Sequence, residues 1–237
     1  MNRKPLIKKA YRSIGHLPFS KLGTGDHKIN EGQTRICCLK KRDEFDTILV
    51  QEKLDGSCCS IAKINGNIYA LSRAGYIAST SPYKQHHLFE KWALRQKDRF
   101  DFLEEGERIV GEWLAQAHGT IYNLTHEPYV VFDIFNKENQ RYVYDEMMEK
   151  LKNGNFITPY LLHRGDSVSV ENVLNKLGKY GFHGAIDPVE GAVWRVERKN
   201  KVDFLAKYVR SDKENGKYLP EMNNNIKEPI WNWSPPF

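Results

Sequence analysis

Short apolar runs of strand length dominate this chain, and three stretches of helical period interrupt them. Residues 47–50 form the first run and lead into Gln51-Glu52-Lys53-Leu54-Asp55-Gly56-Ser57, a strand ending on a lysine, a carboxylate and a glycine turn. Residues 57–64 alternate, Asn65-Gly66-Asn67 supplies hairpin chemistry and 68–72 return, so a two-stranded ribbon is predicted. Further strands are expected over 108–114, 128–135, 156–162, 188–196 and 201–210, the last two joined by a tight turn at Lys199-Asn200. Helices are expected over 83–100, over 144–152, and from a cap near Ser169 to Gly181. Residues 1–46 read as loop-rich and 211–237 as a tail, with Trp231 and Trp233 expected to pin it to the body.

With 237 residues and neither a repeat nor a linker, a single domain over 1–237 is expected. A hydrophobic share of 40% and a charged share of 28% fit a soluble globular chain. No apolar run approaches the roughly 20 residues of a membrane helix, and no secretory leader is evident, which points to the cytoplasm. The net charge of +6 leans toward a polyanion such as nucleic acid. Cys37-Cys38 and Cys58-Cys59 are adjacent pairs without C-x-x-C spacing, so buried free thiols are expected ahead of a zinc site. The glycines of Gly23-Thr24-Gly25 lack a preceding strand and read as a structured surface loop.

Several residues allow two readings each. Lys53 is either a surface lysine opening an Asp-Gly turn or a nucleophile whose amine attacks the α-phosphate of a nucleotide, chemistry that needs a neutral amine. Arg73, in Ser72-Arg73-Ala74-Gly75, is a solvated charge or a fork for ribose and phosphate oxygens. Glu112, inside the apolar run of Val110-Gly111-Glu112-Trp113, is a salt-bridged acid or a ligand to a cation or hydroxyl. Phe132 fills the core or walls a base-stacking slot.

Five elements stand in order: K-L-D-G, S-R-A-G, V-G-E-W, V-F-D-I and E-G-A-V-W-R before F-L-A-K. Over residues 51–210 this series resembles the nucleotidyl transferase motifs of ATP-dependent polynucleotide ligases and mRNA capping enzymes, and is most similar to the RNA ligase family, especially its nick-sealing branch. The resemblance implies an α+β fold of two antiparallel sheets with flanking helices and a nucleotide cleft between them. It implies an ATP-dependent RNA ligase that uses Mg²⁺ or Mn²⁺ and acts on RNA ends or nicked duplexes, RNA or RNA/DNA hybrid. A DNA ligase, a GTP-dependent capping-type transferase and a non-catalytic nucleic-acid binder are the alternatives.

By the same resemblance Lys53 is the adenylylated nucleophile. Glu52 and Asp55 border the nucleotide, Arg73 contacts its sugar or phosphate, Glu112 lies near the ribose or a metal, Phe132 stacks on adenine, Glu190 holds the metal and Lys207 meets the α-phosphate. Two departures stand out. Relatives often carry a second lysine two residues after the one matched by Lys207, where this chain has Val209 followed by Arg210. Only a short tail follows, so neither an OB fold nor a helical C-terminal domain is expected, and a protein partner would supply extra grip on nucleic acid.

Overall fold

The computed structural model describes residues 4–234. Its strands are β1 (Gly15–His16), β2 (Asp46–Lys53), β3 (Ser57–Ile64), β4 (Asn67–Ser72), β5 (Arg108–Trp113), β6 (Tyr129–Phe135), β7 (Leu161–Gly165), β8 (Gly191–Arg198) and β9 (Lys201–Val209). Its helices are α1 (Glu31–Cys38), α2 (Lys84–Arg95), α3 (Tyr144–Lys152) and α4 (Val170–Leu177). This is the expected α+β class. No helix among the described residues is long and apolar enough to cross a membrane.

The chain forms two compact units. The first comprises the segment up to Arg12, Ser57–Gln116 and Glu127–Thr158. Its sheet has the order β4-β3-β5-β6, antiparallel throughout. Phe89 and Trp92 of α2 bring their rings within 5.3 and 5.4 Å of Trp113 on β5, so an aromatic layer closes this core. α2 stops at Arg95, short of the predicted 83–100, and a 3-10 turn covers Lys97–Phe100. Tertiary demands set that break. Arg99 pairs with Glu127 at 2.7 Å and lies over Phe156, while Phe100 is fully buried.

The second unit comprises Ser13–Gly56, Ala117–His126 and the chain from Pro159 onward. Its sheet has the order β1-β9-β8-β2-β7. The β1–β9 pair is parallel, an addition to the expected all-antiparallel arrangement. Ile48, Leu49 and Val50 of β2 are fully buried, so consecutive residues on both faces of this strand are covered. α4 packs on β7 and β8.

Other expectations change in detail. The segment over 1–46 contains α1, whose cap Asn30 and third residue Gln33 form a reciprocal capping box. The strand expected over 156–162 begins only at Leu161. Ile157 bridges Val130 in the first unit, and Pro159, which has no N–H to donate, separates the two roles. α4 is capped by Ser169 as expected but ends at Gly178 rather than Gly181. Trp231 is exposed and Trp233 half-buried, and the tail is tied down by Ile230, whose carbonyl accepts from Ala117 N–H, and by Asn232, whose side chain accepts from Tyr122 N–H. All four cysteines are free; Cys37 and Cys59 are buried, and Cys37-Cys38 sits on a helix.

Candidate functional site

In the second unit, the sequence motifs converge at one end of the sheet. Lys53 is the last residue of β2 and pairs with Gly191 of β8, which pairs in turn with Val209 of β9. One register step away, Gln51, Val193, Lys207 and His16 form the next row on the same face. Lys53 and Lys207 therefore share a face although more than 150 residues separate them. Glu190 immediately precedes β8, and its carboxylate lies 2.7 Å from Lys53 Nζ. Gly191 adopts a φ of 153°, and a Cβ there would fall 2.0 Å from the Tyr208 carbonyl oxygen. Glycine is what lets the acid enter the strand so close to β9.

Electrostatics at this end are crowded. Burial pushes the Glu190 carboxyl up, with the Lys53 ammonium opposing that push and the Asp55 charge adding to it. Burial and the neighbouring Lys53 charge both lower the Lys207 pKa. Lys207 is steadied by Asp26 at 3.5 Å, a residue the sequence reading passed over. Asp26 also pairs with buried His16 at 3.0 Å, and a turn in which its carboxylate accepts from Gly23 N–H holds it in place. The glycine-rich loop therefore serves as a turn that delivers a carboxylate.

Asp55 is held more tightly. Its Oδ2 accepts from Gly119 N–H at 3.0 Å and from the Thr120 hydroxyl at 3.2 Å, and it pairs with Lys213 Nζ at 2.9 Å. The Asp55 backbone N–H donates to the Tyr122 hydroxyl at 3.1 Å. Lys213 is nearly fully buried and donates also to the Gly119 carbonyl and the Thr120 hydroxyl. Sequence reasoning missed Lys213, because the tail shows no pattern that separates this lysine from its neighbours. Arg210 turns elsewhere and donates to the Gly178 carbonyl.

Glu52 points to the opposite face of β2 from Lys53. It is buried, its Oε2 accepts from Phe182 N–H at 3.0 Å, and its Oε1 has no hydrogen-bond partner. Burial pushes its carboxyl up to about 7, against the pull of the Phe182 bond.

In the first unit, three motifs likewise meet at one sheet end. Ser72, Cys59, Gly111 and Val131 form a row across β4, β3, β5 and β6. Arg73 follows Ser72, Glu112 follows Gly111, and Phe132 follows Val131. A Cβ on Gly111 would meet the Val130 carbonyl at 2.6 Å and the Tyr129 ring at 2.7 Å, so glycine admits that ring against the strand. The register skips Phe132, which sits in a bulge. It alone of β6 is not buried, and Tyr11 meets it edge-on at 5.2 Å. Asp133 is fully buried and bound to Arg141 at 2.9 Å, a structural pair.

Among solved structures, 32 chains match this one. A Naegleria gruberi RNA ligase with PPi has 17% identity and a TM-score of 0.55, covering 83% of this chain and 59% of its own. A mutant of the Naegleria gruberi ligase with AMP and Mn has 17% identity, a TM-score of 0.54 and coverages of 86% and 61%. An archaeal ATP-dependent RNA ligase, form 1, has 20% identity, a TM-score of 0.50 and coverages of 70% and 43%. This chain therefore spans between two-fifths and about three-fifths of their lengths, and the likeness establishes a shared fold. No curated protein matches the sequence. The family model described as RNA ligase matches residues 46–209, which contain both sheet ends, and the chain belongs to the RNA ligase family.

Proposed function

We propose that the protein is an ATP-dependent RNA ligase working through a lysyl-AMP on Lys53. The observation that carries this reading is the placement of Lys53 Nζ, 2.7 Å from Glu190 on the sheet end it shares with Lys207. A neutral Lys53 amine attacks the α-phosphorus of ATP, a P–N bond forms, the bond to pyrophosphate breaks, and the amine gives up a proton. AMP then passes to the 5′-phosphate of an RNA end, and a 3′-hydroxyl displaces it to form the phosphodiester. Lys207 faces the α-phosphate and offsets its developing negative charge. Asp55, fixed by Gly119, Thr120 and Lys213, holds the turn that aims the nucleophile.

Arg73, Glu112 and Phe132 serve the nucleotide, Arg73 at sugar or phosphate, Glu112 at the ribose and Phe132 at the base. The bulge that leaves Phe132 unburied supports the stacking role. Glu52, whose side chain is turned to the other face and bound by Phe182 N–H, borders the nucleotide only through the backbone it shares with Lys53. Glu190 would hold a Mg²⁺ or Mn²⁺ ion, and one carboxylate is a usual protein share where phosphates complete the coordination. Such an ion supplies charge neutralisation on the phosphates when bound. The substrates are RNA ends or nicked duplexes, the setting is the cytoplasm, and a partner protein adds grip.

Incubation with α-labelled ATP and Mg²⁺ or Mn²⁺ tests the reading. Covalent label on the wild type and none on Lys53→Ala is expected. Label that survives Lys53→Ala would sink the assignment, and competition by GTP in place of ATP would redirect it to a capping-type transferase.

A further inference from the structure

The segment between α4 and β8, together with Tyr160 just ahead of β7, carries aromatic rings that the mechanism above leaves unused. Tyr160 and Phe182 stack face to face, with centroids 3.7 Å apart and planes 12° apart, yet they are 43% and 46% exposed. Tyr180 beside them is 47% exposed, and the Lys179 ammonium lies 5.2 Å from its ring centroid. Exposed rings of this size cost solvation free energy, and a mobile loop would bury them against its surroundings.

This loop is fastened from beneath. Phe182 N–H donates to Glu52, Val189 N–H to the Lys179 carbonyl, Asn123 N–H to the Gly184 carbonyl, and Arg210 to the Gly178 carbonyl. Gly181 has a φ of 58°, and a Cβ there would lie 2.0 Å from Glu52 Oε1, so the backbone is pressed onto that carboxyl. The rings are therefore presented by a preformed support. Two exposed cations stand close by in the chain, Lys176 in the last turn of α4 and Lys179 next to Tyr180, while the acids Asp187 and Glu190 come later in the loop.

We propose that Tyr160, Tyr180 and Phe182 form a stacking platform for unpaired bases of the RNA substrate. Aromatic faces bind any base, and flanking cations follow the phosphates, which is the general chemistry of single-strand recognition. The platform adjoins the end of β2, because Tyr160 O accepts from Glu52 N–H at 3.0 Å, one residue before the nucleophile. It lies toward the Glu52 face of that strand, which suits nucleotides flanking the joint rather than the reacting end itself. The identity of the polymer rests on the ligase reading.

Fluorescence anisotropy with a short labelled single-stranded RNA tests this, in parallel with α-labelled ATP. Tyr160→Leu and Phe182→Leu keep apolar bulk and remove a π-face, so both should melt like the wild type. Each is expected to weaken single-strand binding about tenfold, with lysyl-AMP formation retained. Wild-type affinity in both variants overturns the platform. So does a loss confined to self-association on size exclusion, which would make the rings a contact between copies. A wild type that binds RNA but takes no label refutes the ligase reading and leaves the platform standing, so the two failures are distinguishable.

Discussion

The two sheet ends solve different problems. In the five-stranded unit, Lys53, Glu190, Lys207, Asp55 and Lys213 form a dense set of charges, most of them deeply placed and each balanced by a named partner. In the four-stranded unit the corresponding end is shaped by a glycine, a bulge and the half-buried Phe132, while its buried ions, Asp133 with Arg141, belong to the core. The first end concentrates paired charge, whereas the second sets Arg73 and Glu112 beside a surface fixed by shape. Charge at short range acts steeply on rate, whereas a stacking surface acts mainly on how tightly a ligand is held.

That contrast sets the expected order of effects. Lys207→Ala should slow lysyl-AMP formation by about 10²–10³-fold at saturating ATP, as loss of a charge-stabilising group typically does. A single-turnover assay reads it, and a loss appearing only as a raised KM would contradict the role. Lys213→Met leaves the Asp55 carboxylate without its buried counter-ion. Breaking such a pair costs about 3 kcal/mol, to be read as a lowered denaturation midpoint, and no change would mean Asp55 is held by Gly119 and Thr120 alone.

Glu52 adds a pH signature. Its pKa rises from the ordinary glutamate value of 4.5 to about 7 through burial, so the folded state binds this proton more tightly than the unfolded state. The Glu52 contribution to stability is thus full below the unfolded value and is lost as pH rises through about 7, by up to about 3 kcal/mol. Glu52→Gln should flatten this part of the denaturation curve; an unchanged slope would assign it to another group. The smallest effect is expected at the shaped end. Phe132→Leu should raise KM for ATP about tenfold with little change in kcat, and equal losses in both would erase the distinction between the two ends.

Much of this was legible in local pattern. Strands β3, β4, β5 and β8 follow from alternation and turn chemistry, and Lys53, Glu190 and Lys207, singled out by the ordered motifs that contain them, stand at one sheet end. What escaped notice depends on partners far along the chain. Asp26 looked like a loop residue because its meaning comes from Lys207, 181 positions away in the numbering of their ion pair. Lys213 sits in a polar tail and gains significance only from Asp55. α1 could have been read from Asn30 and Gln33, a capping signal at the right spacing. The early end of α2 could not, since it follows from where Arg99 and Phe100 must pack.

The position of Lys213 bears on how the protein tolerates trimming. It lies four residues beyond Val209, where the family match stops, so a chain cut at Arg210 would keep every recognisable motif and still lose the ammonium that Asp55 leans on. Deletions from the C-terminal side should therefore first release Tyr122 and Ala117 N–H from Asn232 and Ile230, and on reaching Lys213 loosen the K-L-D-G turn, all before any signature residue is removed.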